Sequence, residues 1–309
     1  KKQSQEAGIE ENIIKSNGTK MEKEEKTEML NPFCDEGFKR IFGDKILLMD
    51  FLNSFVDAGS PIVDLKYENK ELVSVESDGR TIIFDLFCKL DNGNNVIIEM
   101  QNKNQDFFVD RAVFYLSRAI SAQGEKGRIW KYGINSVIGI FITQFRVFDN
   151  DDVLSEMKLI DPKTNKMVSD KMHGYFIQLP KFKKSNNGCV DHFDEWIYNL
   201  KNMERMGNIE FKDQEVFERL WNLSNCSMLS IEERRKYERS LKAYRDYVNQ
   251  LDFAKNEGRA EGREEGRAEG REEGREEGKT EERAKTICTL RRKGKSDEEI
   301  ASLDRKSVV

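Results

Sequence analysis

Residues 81–101 have the sequence TIIFDLFCKLDNGNNVIIEMQ, and this stretch decides the fold. Two apolar segments flank a short polar turn, which is the pattern of a β-hairpin. Asp85 lies inside the first segment, whereas Glu99 and Gln101 lie inside the second. Carboxylates are seldom buried in strands unless they are paired or hydrogen-bonded. Whether these three side chains meet depends on the register of the hairpin.

The turn at residues 91–93 (DNG) predicts that register. A three-residue loop with Gly93 in the left-handed conformation places Asp85 opposite Glu99, with Gln101 on the same face. A two-residue turn would shift the pairing by one residue and separate the two acids. Like charges that face each other destabilise a sheet unless a cation lies between them. Two interpretations stay open: a cation site, or a solvated pair of carboxylates on an edge hairpin.

Composition limits the class of protein. The chain has 309 residues, a net charge of −5 and 37% apolar residues. A net negative charge does not indicate nucleic-acid binding by the chain as a whole. The low apolar content predicts that part of the chain lies outside a packed core. Residues 101–146, however, carry a local excess of Lys and Arg directly after the acidic hairpin.

The five cysteines are scattered without a CxxC spacing, and the chain has only two histidines. This distribution argues against a disulfide framework, a zinc site and a Ser-His-Asp triad. No apolar run has the length of a transmembrane helix, and no signal-peptide core is evident. We therefore expect a cytoplasmic protein that does not associate with membranes.

Residues 31–56 have apolar side chains at helical spacing, with Asn31 suited to the N-cap and Pro32 to the first turn. Asp35 falls on the apolar stripe of this predicted helix, and Lys39 follows it one turn later. The helix dipole alone would favour an acid near the N-terminus. The alternative is that Asp35 is an additional acid directed toward the hairpin site.

Four further segments extend the pattern to an α/β domain. Residues 62–67 alternate as a strand, and residues 72–75 extend it or begin another. Residues 107–123 predict a helix, and the uninterrupted apolar run at 137–142 predicts a central strand that is covered on both faces. The resulting order is αβββαβ, with a parallel, right-handed crossover.

One stripe of the helix predicted at residues 107–123 carries Arg111, Tyr115 and Arg118. A solvated helix face explains such a stripe. Contact with phosphate groups is the alternative, because the stripe follows the acidic hairpin directly. Both explanations stay open.

Beyond residue 148 the regular patterns are sparser. Two histidines, His173 and His192, stand alone there and are interpreted as ordinary residues. The predictions are loops at 149–170, a strand at 175–179, short helices at 193–200 and 215–223, and a long charged helix at 231–253. The apolar seam of the long helix either packs on the core or pairs with a partner helix.

Residues 257–279 repeat Glu, Gly and Arg, with a glycine at every fourth position. The glycines together would cost a free helix roughly 5–6 kcal/mol, whereas each Glu–Arg or Glu–Lys pair returns only about 0.2–0.5 kcal/mol. A flexible tether, or a weak helix, is therefore favoured over a helix that packs its glycine stripe against a partner.

The last segment is predicted to be a small interaction element rather than a DNA reader. Residues 282–293 predict a short helix that ends at Gly294. Ser296 and Glu299 then form a capping box. The segment that follows is too short for a complete recognition helix.

An ordered set of residues resembles a known family. The set consists of Asp35, Phe38, Lys39, Phe42, Gly43, Asp85, Glu99, Met100, Gln101, Arg111, Tyr115, Gln123 and Tyr132. In this order they are similar to the Rpn family of recombination-promoting nucleases, also described as PD-(D/E)XK nuclease family transposases. The similarity runs from about residue 31 to about residue 182.

The resemblance implies an α/β fold with a restriction-endonuclease-like core, in which helices flank a mixed central sheet and a long charged helical tail follows. It also implies DNA cleavage that depends on Mg²⁺ or another divalent cation. Asp85 and Glu99 match the metal-binding acids, and the backbone carbonyl of Met100 is the natural third donor. Gln101 matches the third motif position, and Asp35 matches the acid of the first helix.

The chemistry of phosphodiester hydrolysis assigns roles to further residues. Arg111 and Arg118 are expected to hold the DNA phosphate, and Tyr115 to support the site. The wider motif ends in Lys where this chain has Gln101, and a neutral amide cannot stabilise an oxyanion by charge. Another ammonium is therefore expected to compensate, with Lys39 as the first candidate. The alternatives are Lys89 and Lys103.

The predicted function is a Mg²⁺-dependent DNA endonuclease of low sequence specificity, linked to recombination, mobile elements or defence. The alternative is a non-catalytic DNA-binding or assembly protein that keeps a degenerate nuclease fold. DNA is the expected partner, and the tail is a candidate module for homo-oligomers. The predicted organisation is 1–29 as a disordered leader, 30–200 as the nuclease-like domain, 201–256 as a helical extension, 257–280 as the tether or weak helix, and 281–309 as a short C-terminal helical element.

Overall fold

The computed structural model describes residues 27–69, 71–72, 82–124, 131–211, 213–296 and 298–300. The described helices are α1 (Asp35–Phe42), α2 (Lys45–Asn53), α3 (Phe108–Ser121), α4 (His192–Met206), α5 (Glu215–Ser224) and α6 (Ile231–Arg292). The strands are β1 (Leu65–Tyr67), β2 (Glu71–Leu72), β3 (Ile82–Ile83), β4 (Leu86–Leu90), β5 (Asn95–Gln101), β6 (Val137–Thr143), β7 (Leu154–Asp161) and β8 (Lys166–Gln178). The chain divides into two compact units between Ala243 and Tyr244.

A mixed six-stranded sheet forms the centre of the first unit, in the order β1-β4-β5-β6-β8-β7. Strand β6 is parallel to both β5 and β8, and every residue of it is buried. The predicted central strand is therefore confirmed. With its flanking helices and the long C-terminal helix, this sheet confirms the predicted α/β, restriction-endonuclease-like fold class.

The hairpin has the register that its turn predicts. Leu86 pairs with Ile98 in the antiparallel ladder of β4 and β5, and Gly93 has a positive φ of 88° in the three-residue loop. The first strand is shorter than predicted, because it is interrupted before Leu86. The preceding residues of the hairpin form β3, which pairs with β2 in a separate two-stranded sheet. Residues 73–75 of the strand predicted at 72–75 lie outside the described part of the chain.

The prediction of one helix over residues 31–56 is wrong, because α1 and α2 are separate helices. Gly43 ends α1, and Asp44 begins α2. The Asp44 carboxylate accepts hydrogen bonds from the backbone N–H groups of Ile46 and Leu47, at 3.1 Å each. This cap stabilises a new helix start in the middle of a continuous apolar stripe.

The predicted N-cap at Asn31 is also wrong. Asn31 is buried four residues before α1, and its side-chain oxygen accepts a hydrogen bond from the backbone N–H of Phe33 at 2.8 Å. Met29, which falls in the predicted leader, is only 1% exposed and forms a β-bridge with Asn225. Residues 27–29 thus belong to the folded unit, and the rest of the leader lies outside the described residues.

The prediction of loops at residues 149–170 is wrong, because the structure has the antiparallel pair β7 and β8 there. The connecting turn places Asn165 in the left-handed conformation, with its N–H bonded to the Asp161 carbonyl at 2.9 Å. The outer strand β7 is only partly buried, so it lacks the strong apolar alternation that identifies a strand. The strand predicted at 175–179 is the buried end of β8.

Helices α4 and α5 and the start of α6 pack on the helix layer of the first unit. The ring of Trp196 in α4 lies 5.5 Å from Phe51 and 5.3 Å from Phe217, measured between centroids. Tyr237 in α6 is buried, and its hydroxyl accepts a hydrogen bond from the Asn31 backbone N–H at 2.8 Å. The beginning of α6, in the predicted helical extension, is therefore part of the core.

Helix α6 continues through the Glu-Gly-Arg repeat, so the repeat is helical rather than extended. The repeat residues are exposed, and a Cβ added to Gly266 would meet no atom of the described chain within 4 Å outside the helix backbone and the adjacent residues. The described part of the chain therefore provides no tertiary packing around that glycine. Near the end of the described chain, Ser296 and Glu299 form the predicted capping box through reciprocal hydrogen bonds. None of the described helices is apolar over a length that would cross a bilayer.

His192 links α2 to α4. Its Nε2 lies 2.6 Å from Asp50 Oδ1, and its Nδ1 lies 2.9 Å from Glu195 Oε2. The hydrogen bond to Asp50, together with that to Glu195, raises the pKa of His192 to about 9. A histidine that stands alone in the sequence is thus a charged link between two helices.

The stabilising effect of His192 should depend on pH. Because its folded pKa is raised, the contribution is complete below about pH 6.5, the unfolded value, and is lost as pH rises through about 9. We expect His192→Gln to lower the thermal midpoint by a few degrees at pH 6.5, and by much less at pH 10. Thermal unfolding of both proteins over this range measures the difference, and a constant difference would contradict the prediction.

Candidate active site

Two hydrogen bonds join the acids of the hairpin at the point where the β4–β5 ladder ends. The backbone N–H of Asp85 donates to Glu99 Oε1 at 3.2 Å, and the backbone N–H of Met100 donates to Asp85 Oδ2 at 2.8 Å. Each carboxylate therefore accepts a backbone N–H from the opposite segment of the hairpin. The ladder of β4 and β5 begins at Leu86, directly beyond these two bonds.

Glu99 is an unusual carboxyl group. It is only 5% exposed, and burial, followed by the charge of Asp85, raises its pKa to about 8. A hydrogen bond from the Asp85 backbone and the charge of Arg111 act in the opposite direction. The pair thus resists a second negative charge unless a cation compensates it. Such a perturbed acid at a strand end is typical of functional sites.

Arg111 reaches this pair from α3. Its Nη2 lies 3.5 Å from Glu99 Oε2, and its Nη1 lies 3.5 Å from Gln101 Oε1. A shorter hydrogen bond of 2.8 Å runs from Nη1 to Gln105 Oε1. The guanidinium carbon also lies 5.0 Å from the centroid of the Tyr115 ring. Helix α3 thus delivers a cation to the acids of the sheet.

Tyr115 supports Arg111 on the same helix. Its ring packs edge-on against Phe84, with 5.6 Å between the centroids, and Phe84 is fully buried just before Asp85. The aromatic pair therefore connects the arginine to the strand end. Arg118, on the same predicted stripe, makes no hydrogen bond or ion pair with the hairpin among the described residues.

Asp35 and Lys39 form an ion pair with each other along α1. The start of α1 is tied to the end of β5, because the Asn102 side-chain N–H donates to the Phe33 carbonyl at 2.8 Å. In the described part of the chain, however, the Lys39 ammonium donates its hydrogen bond to Asp35. Lys39 also lines a cavity together with Lys236 and Tyr237. The structure therefore brings this pair near the strand end without joining it to Asp85 and Glu99.

The other lysines of the hairpin lie elsewhere. Lys89 is exposed beside the turn, opposite Asn95, four residues from Asp85. Lys103 is exposed just after β5. Its backbone carbonyl accepts a hydrogen bond from Gln101 Nε2 at 3.2 Å. Among the candidate cations, Arg111 is the one whose side chain contacts Glu99 in the described part of the chain.

The donor set for a cation consists of oxygen atoms. In the described ranges, no group of three or more His, Cys, Asp and Glu side chains lies together as metal ligands. A cation would therefore use Asp85, Glu99 and neutral oxygens, of which the Met100 carbonyl stays the predicted one. Asp85 also borders a groove of about 240 Å³ with Gly43, Tyr67 and Glu68.

Gln105 and Asn102 are site residues that no sequence pattern indicated. Gln105 makes the shortest hydrogen bond of Arg111, and Asn102 joins α1 to β5. Both are polar residues in an irregular connection, so no periodicity marks them. Gln123, part of the family-like set, binds the backbone of Asn135 at 2.8 and 3.1 Å instead of the acids.

A comparison with known protein families gives a match over most of the chain. The family model described as PD-(D/E)XK nuclease family transposase matches residues 32–254. The match continues beyond residue 182, where the motif resemblance ends, through α4 and α5 into α6. Neither curated proteins nor solved structures gave a match. Because the matched segment contains the entire six-stranded sheet and both acids, the chain belongs to the PD-(D/E)XK nuclease family transposases.

Proposed function

We propose that this protein is a metal-dependent DNA endonuclease that hydrolyses phosphodiester bonds with low sequence specificity. The observation that carries the proposal is the junction of Asp85 and Glu99 at the end of the β4–β5 ladder, where each carboxylate accepts a backbone N–H from the opposite segment of the hairpin. Membership in a nuclease family supports the same reaction class. The family description as transposases further supports a role in recombination, mobile elements or defence.

The residues present fit a hard divalent cation such as Mg²⁺. Two carboxylates and a backbone carbonyl are oxygen donors of the kind that Mg²⁺ prefers, and water completes its shell. Burial, followed by the charge of Asp85, raises the pKa of Glu99 to about 8, and a bound cation would offset both effects by favouring the ionised acid. When bound, a divalent cation neutralises phosphate charge and lowers the pKa of water.

The protein side chains divide the remaining tasks. Asp85, Glu99 and the backbone carbonyl of Met100 would hold the cation, and the Met100 N–H bond of 2.8 Å keeps the Asp85 carboxylate oriented. Arg111 faces the phosphate while Tyr115 limits its movement through the ring contact of 5.0 Å. Arg118 continues the basic stripe of α3 along the DNA backbone, as phosphate contacts require.

Asp85→Asn should abolish cleavage and preserve the fold. Its amide oxygen can still accept the Met100 N–H, whereas the charge that holds the cation is lost. We expect nicking of plasmid DNA in Mg²⁺ or Mn²⁺ to fall by about 10²–10³-fold. Asp91→Asn, the same exchange in the exposed turn of this hairpin, is the matched control and should cleave like the wild type.

Three results would decide against this function. Equal cleavage by the wild type and Asp85→Asn would point to a contaminating nuclease. Cleavage without any divalent cation would exclude the metal requirement. DNA binding by the wild type without cleavage in any divalent cation would favour the alternative, a non-catalytic DNA-binding or assembly protein with a degenerate nuclease fold.

A further inference from the structure

The last motif position at the end of β5 is occupied by a neutral residue, Gln101. The motif in the family description ends in Lys, whereas the corresponding segment here is Glu99-Met100-Gln101. Two carboxylates and a phosphate in one site leave a negative surplus at the oxygen that gains charge during hydrolysis. A neutral amide at residue 101 cannot stabilise that charge electrostatically. A positive group from another element has to face this position if the site is active.

The contacts of Arg111 identify the group. Its guanidinium meets Gln101 Oε1 and Glu99 Oε2, both at 3.5 Å, so it lies beside the residue that replaces lysine. The side chain of Arg111 is one-third exposed, whereas that of Glu99 is 7% exposed. One side of the guanidinium thus faces the buried acid, and the exposed part is open to a substrate.

The surroundings hold Arg111 in place from several directions. Gln105 accepts a hydrogen bond of 2.8 Å from Nη1, and the Tyr115 ring lies against the guanidinium. Tyr115 in turn packs on the buried Phe84. Such fixed orientation is what electrostatic catalysis requires, because a charge that need not reorganise stabilises a transition state more strongly.

We propose that Arg111 supplies from α3 the positive charge that the motif lysine supplies from the strand, and that Gln101 and Gln105 position it. This inference rests on the proposed nuclease function. In the reaction, a water oxygen bonds to phosphorus while one P–O ester bond breaks. The water releases a proton to solvent, and the leaving oxygen takes one from solvent. Arg111 donates hydrogen bonds to a non-bridging phosphate oxygen and transfers no proton.

Moving the charge back to the strand tests the proposal. We expect Arg111→Gln to reduce the cleavage rate at saturating DNA by about 10²–10³-fold. The double variant Arg111→Gln with Gln101→Lys should recover at least about tenfold of that loss, because it returns a cation to the motif position. Arg118→Gln removes a proposed phosphate contact two turns along the same helix and should weaken DNA binding. Arg263→Gln, the same exchange on the exposed part of α6, is the matched control and should cleave and bind like the wild type.

A binding measurement provides a readout that does not depend on cleavage. Removal of the positive charge beside Glu99 should tighten Mn²⁺ binding to Arg111→Gln, and the added lysine of the double variant should weaken it again. Isothermal calorimetry without DNA measures both effects. Circular dichroism confirms that each variant is folded. DNA affinity measured in Ca²⁺ separates a loss of rate from a loss of binding.

The outcomes are distinguishable. If the wild type does not cleave, the proposed function fails and this inference fails with it. If the wild type cleaves and Arg111→Gln cleaves equally fast, only the inference is overturned. The inference is also overturned if Arg111→Gln loses DNA affinity alone, without any loss of rate, and to the same extent as Arg118→Gln. A folded double variant that recovers neither the cleavage rate nor the wild-type Mn²⁺ affinity would overturn it as well.

Discussion

Glu99→Gln is expected to make the metal-free protein more stable at pH 8 while it abolishes cleavage. Burial and the neighbouring Asp85 raise the pKa of Glu99 to about 8 from its ordinary value of 4.5. Glutamine carries no charge at any of these pH values, and its side-chain oxygen can still accept the Asp85 N–H. The variant therefore removes a destabilising charge and keeps the hydrogen bond that closes the strand end.

The sign of the pH effect follows from proton linkage. Between about pH 4.5 and pH 8 the unfolded chain loses the Glu99 proton, whereas the folded protein retains it. Folding stability of the wild type therefore falls as pH rises through this window and stays reduced above it. We expect the thermal midpoint of Glu99→Gln to exceed that of the wild type by several degrees at pH 8, with a smaller difference at pH 5.

Thermal unfolding in EDTA tests the prediction, with Glu261→Gln as control because it makes the same exchange on an exposed part of α6. Addition of Mg²⁺ should stabilise the wild type and leave Glu99→Gln nearly unaffected, since ligands that bind only the folded state raise its stability. A variant that is less stable than the wild type at pH 8 in EDTA would contradict the account of Glu99 as a destabilising acid.

Gly37→Ala is expected to destabilise the first unit by about 3 kcal/mol, the upper part of the usual range for overpacking. A Cβ at this position would lie 1.9 Å from the backbone oxygen of Asn31 and 3.2 Å from Cys34 Sγ. Asn31 cannot move away easily, because its N–H donates to Tyr237 and its side chain binds Glu204 at 2.6 Å. The loss exceeds the helix propensity that alanine adds.

The same substitution at Gly266 should have the opposite effect. No neighbouring atom of the described chain lies within 4 Å of a Cβ there, so only the propensity gain of about 1 kcal/mol remains. Far-UV circular dichroism should show a more heat-resistant helix for Gly266→Ala, and the thermal midpoint of the first unit should fall only for Gly37→Ala. Equal behaviour of the two variants would refute the steric explanation.

Local chemistry made the hairpin predictable. The turn at residues 91–93 requires a left-handed glycine, and this requirement alone places Asp85 opposite Glu99. The buried run of β6 was equally clear, because a strand that is covered on both faces has no polar alternation to obscure it. Both features depend on residues that are adjacent in sequence.

Features that depend on distant contacts were not predictable in the same way. The break between α1 and α2 is stabilised by the Asp44 cap, but the apolar stripe continues through it. Lys39 is the first candidate for a compensating cation by sequence, yet its ammonium pairs with Asp35 on the same helix. The packing of α3 on the sheet decides which basic side chain contacts Glu99. The periodicity of the sequence contains no information about that packing.

The pairing of the segment before α1 with the end of α5 has a practical consequence for the design of shorter fragments. The Glu28 carbonyl accepts the Cys226 N–H at 2.8 Å, and Leu30 donates to the Ser224 carbonyl at the same distance. A fragment cut at residue 32, where family similarity begins, would remove one side of this pairing and the buried side chains of Met29 and Leu30. The first residue of the family match therefore lies inside the packed core of the first unit. A soluble fragment should start ahead of Glu28.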